Sequence, residues 1–189
     1  MKKILFLAVA FLIMTACSND TPYETFLGIR AGYLAADIQL AAELSADYGD
    51  RCVEYKLAYV GDGKSGEVSV IEPAEIRGIS AQIGEDKKVS LKCGDVLIDT
   101  GVIYGTDVSP VGALPLIVNA VREGYVSTVY RETLNGCEYT VVEIDETPAG
   151  ESEKLIYTLW FAAEDRSLYK AEVNAGGLVV VTALFEGAV

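Results

Sequence analysis

The sequence predicts a mainly β protein of the α+β class, an antiparallel sheet attended by one main helix. Three observations predict it. From about residue 31 onward, apolar and polar residues alternate with a period of two in run after run. Those runs are separated by Gly, Asn and Asp turn signals. Only the stretch Ser109 to Gly124 carries a clear helical period, with Leu114, Ile117, Val118 and Val121 at i, i+3, i+4 and i+7 along one face. Pro110 suits the start of that helix, and Gly124 stands where a helix C-terminus favours positive φ. At 189 residues and 51% hydrophobic content, the chain can build one domain with a substantial core, and two would be cramped.

The N-terminus reads as a targeting segment. MKKILFLAVAFLIMTAC has two lysines, an apolar run from Ile4 to Met14 and small residues ahead of Cys17, and the run is too short for a permanent membrane span. Met14-Thr15-Ala16-Cys17 resembles the bacterial lipobox, with Met14 where leucine is usual. The resemblance implies a signal peptide over residues 1–16 and a lipid-modified Cys17 as the first residue of the mature chain. Residues 17–30 then form a polar tether and a short helical turn over Tyr23 to Arg30, and 31–189 a single domain. Such a protein lies outside the cytoplasm, held to the cell membrane by acyl chains that each contribute about 0.8 kcal/mol per buried CH₂.

Charge and composition exclude several functions. The formal charge is −13, and the 15 basic residues fall to 13 without Lys2 and Lys3, against 28 acidic ones. This surface disfavours nucleic acid and anionic head groups as large contact partners. Histidine is absent, which removes the commonest general base and metal ligand. With Cys17 carrying lipid, Cys52, Cys93 and Cys137 remain, widely spaced and without a C-x-x-C pair, so neither a metal site nor a cofactor is expected. One disulfide and three buried thiols are both open.

The first β block begins with the alternation from Leu34 to Leu44, read as a strand although its alanine and leucine content would also suit a helix. A cleaner one follows from Val53 to Tyr59, then Glu67 to Ile71 ending at Pro73, Ile76 to Ile83, Lys88 to Lys92 and Val96 to Thr100. Ala58 to Ser65, AYVGDGKS, fits a relaxed phosphate-binding loop. That loop works only with a helix after its Lys-Ser, and an alternating strand follows instead, so the segment reads as a hairpin turn.

After the helix, Val126 to Arg131 and Glu138 to Ile144 form a hairpin across Asn135-Gly136, and Asp145 to Lys154 is an acidic loop. Leu155 to Phe161, Leu168 to Val173 and Leu178 to Phe185 complete the set. The first and last of these are apolar on both faces, which calls for cover on both sides by the helix, a partner or a ligand.

The run Tyr157-Thr158-Leu159-Trp160-Phe161, then Leu168-Tyr169-Lys170-Ala171-Glu172-Val173 and a final hydrophobic strand, resembles the ending of the lipoprotein-carrier fold of LolA and LolB. Tyr55 to Tyr59, Gly66 to Val70, Glu72-Pro73 and Ile76-Arg77-Gly78-Ile79 are similar to exported lipoproteins of spore-forming bacteria, among them the germination lipoprotein GerS. The resemblance implies a strongly curved antiparallel sheet, an unclosed half-barrel of about ten strands with the main helix on its concave face. In LolA and LolB the concavity receives acyl chains, while GerS-like proteins work through protein partners.

The expected function is a non-catalytic, lipid-anchored envelope or spore-associated interaction module, with an acyl-chain carrier as the alternative. The candidate groove or lid residues are Leu114, Ile117, Val118, Val121, Tyr157, Leu159, Trp160 and Phe161. A carrier requires an unfilled apolar cavity of roughly several hundred Å³ under the helix, with Trp160 or Phe161 at its wall. An interaction module requires a filled groove and an exposed apolar patch or free strand edge. The carboxylates Glu143, Asp145 and Glu146 cluster beside an exposed loop and read as solvated charge rather than as a catalytic group.

Overall fold

A computed structural model describes residues 20–86, 88–102 and 108–186; the predicted signal peptide and Cys17 lie outside them. Eleven strands form a single antiparallel sheet, one more than the approximate count expected, and two helices pack against it. In chain order these are α1 (Pro22–Ala35), β1 (Ile38–Asp47), β2 (Cys52–Gly61), β3 (Gly66–Glu72), β4 (Ile79–Ile83), β5 (Lys88–Cys93), β6 (Val96–Val102), α2 (Pro110–Glu123), β7 (Tyr125–Leu134), β8 (Cys137–Asp145), β9 (Leu155–Ala162), β10 (Leu168–Ala175) and β11 (Leu178–Phe185).

The strand order β6-β5-β4-β3-β2-β1-β11-β10-β9-β8-β7 is two hairpin meanders joined where the first strand meets the last. That seam runs from Ala42 opposite Phe185 to Ala46 opposite Val181. Among the described residues β6 and β7 are the two free edges and the sheet stays open, and bulges in β2–β3, β5–β6, β7–β8, β9–β10 and β10–β11 bend it. The Asn135-Gly136 hairpin forms as expected, with φ of 52° and 84° at the two turn residues.

α1 is longer than the short turn the sequence suggested. Pro22 opens it, and a capping box closes its N-terminus, with the Thr21 hydroxyl accepting from the Glu24 N–H at 3.2 Å and the Glu24 carboxylate accepting from the Thr21 N–H at 2.8 Å. The helix takes Leu34 and Ala35, which the period-two reading had placed in the first strand; β1 begins at Ile38. Likewise Ala74–Ile76 is a 3₁₀ turn, and β4 begins only at Ile79, after Gly78 at φ 84°.

The two helices divide the concave face. α1 packs on α2, β7 and β8, and α2 on β1, β2 and β3. Leu114, Ile117, Val118 and Val121 are wholly buried, meeting the inward residues Leu44, Leu57 and Tyr59 in one core with Phe26, Ile144, Tyr157, Leu159 and Phe161. Arg30 fastens the helices together: its Nε donates to the Val121 carbonyl at 2.7 Å and its Nη2 to the Gly124 carbonyl at 2.8 Å.

Gly124 caps α2, although not through positive φ. Its φ is −65°, a value open to any residue. The constraint is space, because a Cβ there would sit 2.3 Å from Ile144 Cγ2 and 2.6 Å from the Ala120 carbonyl oxygen. Gly124→Ala is therefore expected to lower stability by about 1–3 kcal/mol in chemical denaturation, as overpacking does. If the residue served only as a flexible cap, alanine at this compatible φ would instead stabilise by a few tenths of a kcal/mol.

The thiols depart from both sequence alternatives. Cys52, Cys93 and Cys137 are unpaired and exposed, each at the strand pair next to a hairpin turn, opposite Asp47, Val96 and Leu134. Strand-end positions beside turns do not reach the core, which the odd count and wide spacing could not reveal. Native protein extracted from membranes should titrate three thiols with a disulfide reagent without denaturant, and a fourth only if Cys17 is unmodified.

Candidate functional site: a cleft where the last strand stops

Among the described residues, β1 outruns β11. Its pairing with β11 ends at Ala42 opposite Phe185, followed by one bond from the Glu186 N–H to the Ala41 carbonyl at 3.0 Å. With β2 it continues to Ile38 opposite Gly61, so residues 38–40 are paired on one side only. Facing this bare edge is the β9–β10 turn, where Arg166 adopts φ 63° and the Asp165 carboxylate accepts from the Ser167 N–H at 2.9 Å and its hydroxyl at 2.7 Å.

The result is a cleft of about 700 Å³ at one end of the half-barrel, lined by Tyr33 of α1, Ile38 to Ala41, Ala58 to Val60, Asp165 to Leu168 and Glu186. That is within the usual size of a small-molecule site, and the lining is mostly apolar. Tyr33 connects the cleft to the core, its ring edge-on to Phe161 at 6.3 Å. Burial pushes the Tyr33 phenol above the usual tyrosine range, so it is a neutral group at any physiological pH.

Charge lies at the rim. Asp37, Asp165 and Glu186 stand there with Arg166, and Glu186 pairs with Lys56. Arg166 Nη1 lies against α1 at Gly28, where an added Cβ would come within 3.1 Å of it. Glycine there lets the guanidinium rest on the helix at the cleft.

The phosphate-loop look-alike sits beside this cleft as the hairpin turn the sequence implied. Asp62 takes the backbone N–H groups a phosphate would need, those of Lys64 at 2.9 Å and Ser65 at 2.7 Å, and the Ser65 N–H holds its carboxyl below the usual range. The turn is wrapped on the Tyr59 hydroxyl, which accepts from the Gly63 N–H at 2.7 Å and donates to the Ser65 carbonyl at 3.1 Å.

The sequence-predicted groove residues lie elsewhere. Leu114, Ile117, Val118, Val121, Tyr157, Leu159 and Phe161 come together, but as closed core, each 0% or 1% exposed. Trp160 is separated from them on the opposite face of β9. Its indole N–H donates to a Glu132 carboxylate oxygen at 2.6 Å, and Lys170 Nζ stands 4.6 Å from its ring centroid. This explains how β9 is apolar on both sides: helices cover one, and Tyr139, Val141 and Trp160 form a small cluster on the other. On β11, Leu178, Val179 and Leu184 stay exposed.

Sequence reasoning missed Tyr33, Ile38, Leu40, Arg166 and Leu168 as a site. The available signal was a length mismatch, since the first strand reads longer than the last and unequal neighbours leave a bare edge. Of the clustered carboxylates, Asp145 accepts from the Thr147 N–H at 2.9 Å, and a hydrogen bond from the Thr147 side chain is the main reason its carboxyl sits below the usual range. Among the described residues there is no group of three or more Cys, Asp or Glu fit to hold a metal ion, and no helix is long and apolar enough to cross a membrane.

No family model and no curated protein matches the sequence. Among solved structures, the chain is similar to a LolA superfamily protein from Nitrosomonas europaea, with 12% identity over 89% of this chain and 92% of that one, at a TM-score of 0.52. The chain has a LolA-like fold. A DUF1329 family protein from Desulfovibrio piger also matches, at 11% identity over 87% of this chain and 90% of that one, with a TM-score of 0.48 that adds nothing to the assignment. At such identity the likeness extends to the fold alone. In this chain the fold is an open antiparallel sheet holding helices in its curve, with a cleft at the end of β11.

Proposed function

We propose that this chain is an extracytoplasmic lipoprotein, tethered through an acylated Cys17, that binds an apolar or single-chain amphiphilic ligand in the cleft beside β11 and catalyses nothing. The observation that carries the reading is the cleft itself: about 700 Å³, mostly apolar, and opening beside the core at Tyr33. Sequence resemblance to the LolA and LolB carriers, whose concavity takes acyl chains, supports the same class of ligand, and the LolA-like fold agrees with it. Binding here differs from the expected carrier groove, because the space under α2 is filled by Leu114, Ile117, Val118 and Val121.

The physical basis is dehydration. An alkyl chain along Ile38, Leu40, Tyr33 and Leu168 gains roughly 25 cal/mol for each Å² of apolar surface removed from water. A polar head stays at the rim. Arg166 offers that head a cationic contact among Asp37, Asp165 and Glu186, and the acidic surface discourages broad contact with anionic lipid.

A second reading, a protein-interaction role as in GerS-like lipoproteins, rests on β6. Val96, Leu97 and Ile98 are 58%, 61% and 53% exposed on a free sheet edge. Val96 pairs opposite Cys93 and Ile98 opposite Leu91, itself packed on the core, so these two extend the inner apolar face past its helix cover. An added partner strand would satisfy the edge.

Native mass spectrometry of membrane-extracted protein separates these readings. The leading one predicts a chain beginning at an acylated Cys17 that carries a small amphiphile. A co-purifying polypeptide lost on Ile98→Lys would favour the second, and a bare chain without either would count against both.

A further inference from the structure

We propose that the outer face of α1 lies on the surface of the bilayer that holds the lipid anchor, with Tyr23, Leu27 and Leu34 entering the boundary between head groups and acyl chains. The inference rests on the acylation of Cys17 proposed above. It deepens that reading by fixing how the body sits on its membrane.

α1 presents apolar side chains on both its inner and its outer side. Its inner face buries Phe26 and Ile29, while Tyr23, Leu27 and Leu34 are 51%, 43% and 51% exposed. Leu27 follows Tyr23 by four residues, and Ala31 continues the stripe towards Leu34, with Gly28, Gly32 and Ala35 also exposed beside it. The helix carries two charges: Arg30 is engaged on the α2 carbonyls, and Glu24, exposed in the first turn, is tied into the capping box at the end nearest the tether. Tyr23, Leu27 and Leu34 form an exposed apolar stripe that the rest of the protein does not cover among the described residues.

The tether says what supplies that cover. The Asp20 carbonyl accepts from Arg131 Nη2 at 2.8 Å, which pins the chain to β7 immediately before the Thr21 cap. Three peptide steps separate Asp20 from Cys17, a reach of at most about 11 Å when fully extended. The first turn of α1 therefore cannot leave the membrane surface once Cys17 is acylated. Charge favours this orientation, because the acidic body is repelled by an anionic leaflet while Tyr23, Leu27, Ala31 and Leu34 carry no charge, Glu24 standing at the end of the stripe next to the tether. Tyr33 near the end of α1 lines the cleft, so this placement brings the proposed ligand site to the surface from which amphiphiles come.

The test uses full-length, membrane-extracted protein in phosphatidylcholine–phosphatidylglycerol vesicles containing lipids with a nitroxide near the top of the acyl chain. Wild-type protein sets the baseline, since its single tryptophan, Trp160, is 7% exposed on the face of β9 away from the helices. Leu27→Trp should lose emission by about twofold or more relative to that baseline, whereas Leu97→Trp on β6 should not. Equal behaviour of the two variants, with intact mass confirming acylation, would overturn the placement, as would cross-linked pairs through position 27 showing that a second copy covers the stripe. An unmodified Cys17 would defeat the anchor reading instead. The same contrast, measured on Cys52→Ser, Cys93→Ser, Cys137→Ser protein coupled through Cys17 to a maleimide lipid, then decides the placement alone.

Discussion

Phe161→Ala is expected to cost about 3–5 kcal/mol of stability, the range for emptying a large aromatic site in a closed core. Phe161 is 0% exposed on β9 and is the residue against which α1 is set: the Phe26 ring lies 6.1 Å away and tilted, and the Tyr33 ring 6.3 Å away and edge-on. Removing it leaves a void that two aromatic neighbours on a helix cannot collapse into without shifting that helix. Because Tyr33 also lines the cleft, ligand affinity should fall together with stability. Equilibrium denaturation in urea reads the first effect, and a loss below 1 kcal/mol would show that α1 is not seated on this ring.

The second large effect is expected at Arg30. Arg30→Ala should destabilise by about 2–3 kcal/mol, since the guanidinium makes two bonds to carbonyls at the end of α2, where a helix leaves such groups without internal partners. It also stacks over Phe26, 4.9 Å from the ring centroid. Arg30→Lys should recover little of the loss, because an ammonium cannot reproduce the planar fork that reaches the Val121 and Gly124 carbonyls together. Full rescue by lysine would mean that charge near the helix terminus, not the paired geometry, holds the helices.

Local patterns carried most of the fold. The apolar stripe and flanking Ser109 and Gly124 placed α2 to within a residue at each end, Ser109 serving as its N-cap. Asn135-Gly136 placed the β7–β8 turn, and the continuous apolar run after Gly176-Gly177 placed β11 in full. α1 is legible only in part, as a short helical turn over Tyr23 to Arg30, because its polar and apolar residues form no clear stripe and Tyr33 to Leu44 happens to alternate across the helix–strand junction. Gly124 was recognised as a helix end for the wrong physical reason, since the crowding by Ile144 comes from a strand twenty residues later.

The candidate site was much less legible. Leu114, Ile117, Val118 and Val121 were identified as inward-facing, and they are, but sequence cannot tell a filled face from a hollow one. The cleft lies beside the last described pairing of β1 with β11, a relation between residues more than 140 positions apart. Trp160 shows the same limit: alternation in a strand apolar on both faces does not say which face meets the helices, and Trp160 meets Glu132 and Lys170 instead.

The most direct test of the ligand reading is residue-resolved NMR of the protein titrated with a single-chain fatty acid. Shifts concentrated at Tyr33, Ile38, Leu40, Arg166 and Leu168, with Val118 and Val121 unmoved, are the predicted result. Shifts centred under α2 at Val118 and Val121, or none anywhere at saturating fatty acid, would contradict it.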